Sequence, residues 1–284
     1  MKFTNKLNLP QPIVSAITAD KYSRGEADMS VTQLLKPPRM TALEWAYENE
    51  LTADVSELVW AMFGTAVHNV LDNNTEHIIP GRRLYTTCRD WTISGEFDYI
   101  DADGILWDWK VASVWEIMNG VKEEREQQLN LYSLLAARNG IQINGLKLGF
   151  LLRDWSQSAA DRDRQYPPFS IHVVPVANWG ILQAEEYLEE RVRLHQEARV
   201  NLPECTPEEQ WAKPTVWAAT KTGNTRATKL FPSENEALAW HQLQSDGASM
   251  NITQRPGDLT RCRLYCTVGG NGFCEQYNAT KNVP

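Results

Sequence analysis

The sequence predicts an α/β protein, with a central mixed sheet flanked by helices and followed by a small cysteine-bound α+β appendage. Three observations carry that expectation. Periodic segments run in the order helix, two strands, helix, two strands, helix, the pattern of a mixed sheet with helical cover. The 284 residues are 42% hydrophobic and 23% charged, enough to bury a large core, which excludes collagen-like, disordered and small disulfide-stapled chains. A break at Leu202-Pro203 precedes a segment in which three of the five cysteines crowd between Cys262 and Cys274.

Residues 1 to 27 read as an N-terminal extension, polar and interrupted by Pro10 and Pro12. Residues 28 to 200 read as the core domain. A short helix is expected from Ala42 to Glu50, beyond the Pro37-Pro38 pair. From Glu57 to Asp72, Leu58, Val59, Met62, Phe63, Val67, Val70 and Leu71 recur at three- and four-residue spacing, which predicts a helix with one buried face. Thr92 to Ile100 and Ile105 to Val111 alternate as strands around the turn-forming Asp101-Ala102-Asp103-Gly104, predicting a hairpin. Val114 to Arg138 reads as one helix ended by Asn139-Gly140. Leu146 to Leu152 and Phe169 to Val176 are further strands, and Trp179 to Val200 a second long helix.

Residues 201 to 284 form the appendage. Thr206-Pro207-Glu208-Glu209 carries a capping-box pattern, and Ser233 with Glu236 repeats it. Short strands are expected at Val216 to Ala219 and Arg226 to Phe231. This segment holds 8 Lys+Arg and 8 Asp+Glu, so the net charge of -8 resides in residues 1 to 200. An acidic chain does not coat nucleic acid indiscriminately, although a carboxylate cluster at one point remains compatible with it. No apolar run approaches the ~20 residues that cross a bilayer. Residues Met1 to Asp20 also lack a signal-peptide pattern, so the expectation is a cytoplasmic protein with no membrane partner.

The chemistry concentrates on the predicted hairpin. Side chains alternate along a strand, so Glu96 and Asp98 share a face, as do Asp108 and Lys110, and the turn sets Asp98 opposite Asp108. Two acids and a lysine among Phe97, Leu106, Trp107 and Trp109 are costly to gather without compensation. A hard cation such as Mg²⁺ would provide it, and Lys110 could then stabilise charge on a phosphate. The plainer alternative is a solvated hairpin with a surface ion pair. His68 follows Gly64 by four residues on the preceding helix, and a glycine there would let the imidazole approach a metal. Gly95 precedes Asp98 by three and marks a site of close approach. Gln128 and Tyr132, at i and i+4 on the following helix, offer donors to a phosphate backbone or to the acids.

Taken in order, Gly64-x-x-x-His68, Gly95-Glu96-Phe97-Asp98, Asp108-Trp109-Lys110 and Gln128-x-x-x-Tyr132 resemble the PD-(D/E)XK nuclease superfamily, in its RecB-like and phage exonuclease branch. Ser30 to Leu35 followed by Pro37-Pro38 looks like the opening of its phage members. The resemblance implies a restriction-endonuclease-like core. It implies that His68, Asp98, Asp108 and the Trp109 backbone carbonyl hold Mg²⁺ or Mn²⁺, that Asp98, Asp108 and Lys110 are catalytic, and that Gln128 and Tyr132 line a DNA site. The implied activity is that of a metal-dependent deoxyribonuclease, an exonuclease of recombination or end processing and plausibly phage-encoded. Its partners would be DNA ends, single- or double-stranded, and a recombination or single-strand-binding protein. The alternatives are an endonuclease or flap nuclease, or a non-catalytic DNA-binding accessory protein on the same fold.

Cys262-x3-Cys266-x7-Cys274 supplies three thiols, and a fourth soft ligand would complete a tetrahedral site for Zn²⁺ or a [4Fe-4S] cluster. Three buried free cysteines are the plainer reading. The resembling family carries an iron-sulfur cluster with C-x2-C-x5-C spacing, from which this chain departs, so zinc and iron-sulfur both stand. Of the two remaining cysteines, Cys205 at the domain boundary would close a long loop with the cluster, whereas Cys88 has no soft ligand near it in sequence. The expected second site is therefore Cys205, Cys262, Cys266 and Cys274.

Overall fold

A computed structural model describes residues 1 to 19, 24 to 72, 79 to 244 and 249 to 281. The chain divides into two compact units, Met1–Leu202 and Pro203–Pro284. Each is an assembly of strands and helices, and the larger is α/β with mixed sheets flanked by helices.

In the larger unit the elements run β1 (Lys2–Thr4), α1 (Gln11–Thr18), β2 (Met29–Ser30), α2 (Val31–Leu34), α3 (Pro38–Ala46), β3 (Thr52–Asp54), α4 (Val59–Asp72), β4 (Ile79–Pro80) and β5 (Arg83–Cys88). They continue with β6 (Trp91–Glu96), β7 (Tyr99–Ile100), β8 (Ile105–Ala112), α5 (Val114–Met118), α6 (Glu123–Arg138), β9 (Gly145–Leu152), α7 (Gln157–Ala160), β10 (Ile171–Val176) and α8 (Gly180–Ala198). A five-stranded sheet has the order β10-β9-β8-β7-β4. Its β8–β9 pair is parallel, joined through α5 and α6, while β7–β8 and β9–β10 are antiparallel. A second sheet has the order β2-β6-β5, and β1 pairs with β3.

The core gathers Met29, Leu34, Ile93, Phe97, Leu106, Leu129, Leu135, Leu148 and Phe150, which are contributed by both larger sheets and by α2 and α6. Even-numbered residues of β8 and β9 face this core and odd-numbered ones face away, the two-residue period of a strand. On the outward side Tyr99, Trp107 and Trp109 stack with ring centroids 5.7 to 6.0 Å apart. Trp109 lies so close over Gly149 that a Cβ there would stand 2.2 Å from the indole.

Several sequence expectations are corrected. The strand expected from Thr92 to Ile100 breaks at Phe97-Asp98, and its halves join different sheets. The helix expected from Val114 to Arg138 is two helices, interrupted at Gly120, whose φ of +91° is left-handed. The β5–β6 hairpin turns through Arg89 and Asp90, both at positive φ, without the Asn-Gly or Asp-Gly pair that announces such a turn in sequence. Helix α4 forms, but none of its described side chains is fully buried, and Trp60, Phe63 and Val70 are at least half exposed. The 3.6-residue period reported an amphipathic helix correctly and could not say how much of its apolar face would be covered.

The smaller unit contains β11 (Val216–Lys221), β12 (Lys229–Phe231), α9 (Glu234–Gln242), β13 (Met250–Arg255), α10 (Thr260–Leu264), α11 (Thr267–Gly270) and α12 (Glu275–Lys281), with sheet order β12-β11-β13. Ser233 caps α9, its Oγ accepting from Glu236 N at 3.3 Å. The Thr206–Glu209 box also closes, with Glu209 N donating to Thr206 Oγ1 at 3.2 Å and Thr206 N donating to Glu209 Oε2 at 3.0 Å. It caps a turn and not the expected helix, because Trp211 adopts a φ of +50° and the chain leaves for the Ala212–Leu259 bridge.

Candidate functional site

The break at Phe97-Asp98 positions the site. The β7–β8 register pairs Tyr99 with Trp107 and Ile100 with Leu106, and continuing it by one residue sets Asp98 opposite Asp108. Asp98 is off the ladder, so its carboxylate turns toward the neighbouring strand: Oδ2 accepts from the Trp109 backbone N–H. Its other oxygen, Oδ1, lies 3.0 Å from His68 Nδ1 on α4. The bond to Asp98 raises the His68 pKa, against the lowering effect of burial.

Asp108 is 3% exposed, and its Oδ2 lies against the Lys110 ammonium while making no hydrogen bond of proper geometry. Burial raises its pKa and Asp98 adds to that effect, while Lys110 and the more distant Arg125 oppose it. Burying a carboxylate this fully is expensive, and a single ammonium does not fill its acceptor sites. Such an unfilled acceptor beside a second carboxylate is compatible with a hard cation. Among the described residues, however, no three His, Cys, Asp or Glu side chains are gathered closely enough to hold an ion. Lys110 lies against Asp108, and His68 lies against Asp98.

Other expected site residues fall differently. Glu96 pairs with Arg83 and is exposed, so it does not join Asp98 on one face. Gly64 marks no close approach, since a Cβ there would meet nothing within 4 Å. Gln128 and Tyr132 are 7% and 5% exposed, and Gln128 Nε2 donates to Tyr132 Oη at 2.8 Å. A Cβ on Gly95 would stand 2.9 Å from the Tyr132 ring, so that glycine exists to admit this side chain. The two side chains expected to offer donors to a phosphate backbone or to the acids are thus buried and bonded to each other. At Trp109 the backbone N–H donates to Asp98 Oδ2.

One group was not visible in sequence. Arg125 on α6 is an electrostatic neighbour of Asp108 and bonds Glu116 on α5 at 3.0 Å. The α5–α6 interruption that creates this bridge has Asn119-Gly120 as its only sequence signal.

In the smaller unit, Cys205 has Cys262, Cys274 and Cys266 as electrostatic neighbours. Burial, with smaller contributions from Glu209 and these thiols, pushes the Cys205 thiol up to about 12, and burial with Cys266 and Cys274 pushes Cys262 up to about 11. The Gln276 side chain pins the Cys205 backbone, accepting from its N–H and donating to its carbonyl, both at 2.9 Å. Cys88 stands apart in the larger unit, near Arg138, Glu189 and Arg89. Thiols suit Zn²⁺ or an iron-sulfur cluster by their chemistry, although among the described residues no three of these cysteines are gathered closely enough to hold either as they stand.

No family model matches the chain, and no curated protein matches it. Among solved structures it is similar to the one titled "Crystal structure of SSO0001", at 15% identity and a TM-score of 0.44, over 70% of this chain and 88% of that one.

Proposed function

We propose that the larger unit is a Mg²⁺- or Mn²⁺-dependent deoxyribonuclease with a restriction-endonuclease-like core of the PD-(D/E)XK type, acting on DNA ends as an exonuclease. The observation that carries this reading is the meeting of Asp98, the buried Asp108, Lys110 and His68 at a strand break, in the order that the resemblance to RecB-like nucleases implies. A parallel β8–β9 pair with antiparallel neighbours and a helical crossover supports the core assignment.

In this reading Asp98, Asp108 and His68 would draw together around the cation, which would supply positive charge to the phosphoryl oxygens and acidify water. Hydrolysis forms a bond from a water oxygen to phosphorus and breaks one P–O ester bond, leaving a phosphomonoester and an alcohol. Lys110, released from Asp108, donates a hydrogen bond where negative charge grows on the phosphate. Asp98 holds the imidazole of His68 in orientation through Nδ1. The Trp109 N–H fixes Asp98 in turn, so the constellation is held by backbone as well as side chains. Gln128 and Tyr132 act from beneath, as packing that keeps the sheet and α6 in register.

In the smaller unit, Cys205, Cys262, Cys266 and Cys274 would bind Zn²⁺ or an iron-sulfur cluster, fastening the segment's two ends. The test of the activity is degradation of end-labelled linear DNA with Mg²⁺ or Mn²⁺, compared with closed circular DNA. Loss of the linear substrate alone supports exonuclease action. Cleavage of both identifies an endonuclease, and binding without cleavage identifies an accessory protein.

A further inference from the structure

On α4, Trp60, Gly64 and His68 stand at i, i+4 and i+8, so they follow one flank of the helix over about 12 Å. His68 marks one end, against Asp98. At the other end Trp60 is 55% exposed, with the Arg153 guanidinium 4.5 Å from its ring centroid. Phe63, 50% exposed, meets Trp60 edge-on at 6.1 Å. Arg153 is itself exposed and follows β9, its backbone N–H donating at 3.0 Å to the carbonyl of Ala112, two residues beyond Lys110. Between the two ends Gly64 leaves open space. The flank is thus an aromatic and cationic platform, a gap, and then the carboxylates.

We infer that this flank of α4 seats an unpaired DNA strand, with a base stacked on Trp60, Arg153 near a phosphate and the backbone passing Gly64 toward Lys110. The inference rests on the nuclease reading and names its substrate class as DNA carrying a single-stranded end. Two large aromatic side chains left half exposed on an otherwise ordered helix present apolar faces that water serves poorly. An indole with a guanidinium over its ring, two flat groups on which a base can stack, is the chemistry that binds unstacked bases without regard to sequence. Bases inside a duplex are already stacked and cannot occupy it. The 12 Å flank has room for roughly two to three nucleotides at ~3.4 Å or more per step.

The test is binding of a labelled oligothymidylate and of a blunt duplex to the full chain in EDTA, with Mn²⁺-dependent cleavage measured alongside. Trp60→Ala and Arg153→Ala should each weaken oligothymidylate binding on the order of tenfold and blunt-duplex binding by less than about twofold, while Trp60→Phe keeps most of the affinity. Gly64→Leu, a helix-favouring change into open space, should also weaken single-strand binding by obstructing the gap. If wild-type protein binds and cleaves DNA but Trp60→Ala leaves single-strand affinity intact, or weakens both substrates equally, the platform is refuted and the nuclease reading stands. If wild-type protein neither binds nor cleaves DNA, both fall.

Discussion

At the residue scale, burial divides the expected site into two classes. Asp98, Asp108 and Lys110 meet because a strand's two-residue period and a tight turn, both written locally in the sequence, fix their positions, while His68 reaches Asp98 from α4 by tertiary packing. Helical spacing shows that Gln128 and Tyr132 share a face but not what covers it, and both are buried. Their burial makes them sites of stability. Tyr132→Phe deletes the acceptor of the Gln128 bond and should lower unfolding free energy by about 1 kcal/mol, read by urea denaturation. Gly95→Ala forces a Cβ to 2.9 Å from the Tyr132 ring and should cost about 1–3 kcal/mol. A Gly95→Ala protein as stable as wild type would show that the ring has room to move.

At the element scale, helices α4 and α8 give predictions of opposite origin. Gly64 lies mid-helix with nothing near its missing Cβ, so Gly64→Ala should stabilise by about 0.5–1 kcal/mol through backbone entropy alone, seen as a higher melting temperature. On α8, Arg191 donates to the Leu34 and Lys36 carbonyls, and His195 Nε2 lies 3.0 Å from Leu34 O. These contacts serve the end of α2, where Pro37 and Pro38 have no N–H to offer. Burial, with the Arg191 charge beside it, holds the His195 pKa down at about 4. A base whose folded pKa is depressed binds fewer protons folded than unfolded between the two values. Its full contribution is therefore present above the ordinary histidine value of about 6.5 and is lost as pH falls toward 4. Between about pH 7 and pH 5, wild-type protein should lose more melting temperature than His195→Gln does. Parallel curves for the two proteins would show that His195 is not held neutral.

The sequence made α4, the β7–β8 hairpin, β9, β10 and α8 legible, because each carries a sustained period and recognisable ends. It did not disclose β5, whose Arg89-Asp90 turn lacks glycine, nor the division of Thr92 to Ile100 between two sheets, which depends on tertiary pairing. The Arg125–Glu116 bridge was hidden for a similar reason, since it arises only after α5 and α6 separate.

At the scale of the whole molecule, the chain is two units with different chemistry, oxygen and nitrogen donors in one and sulfur in the other. Cys205 opens the smaller unit and Cys274 lies near its end, so a metal held between them would constrain a long loop. Cys205→Ser should lose bound zinc or iron and melt at lower temperature, whereas Cys88→Ser should keep both, as read by metal analysis of the purified proteins. Full metal occupancy in Cys205→Ser would refute the four-cysteine site. The central claim concerns the other unit, and its most direct measurement is Mn²⁺-dependent hydrolysis of end-labelled linear DNA by wild-type and Lys110→Ala proteins purified identically. The predicted result is hydrolysis by wild type that EDTA abolishes, with about a 100- to 1,000-fold loss in Lys110→Ala at an unchanged fold. Equal hydrolysis by the two proteins, or none by wild type with either Mg²⁺ or Mn²⁺, would contradict it.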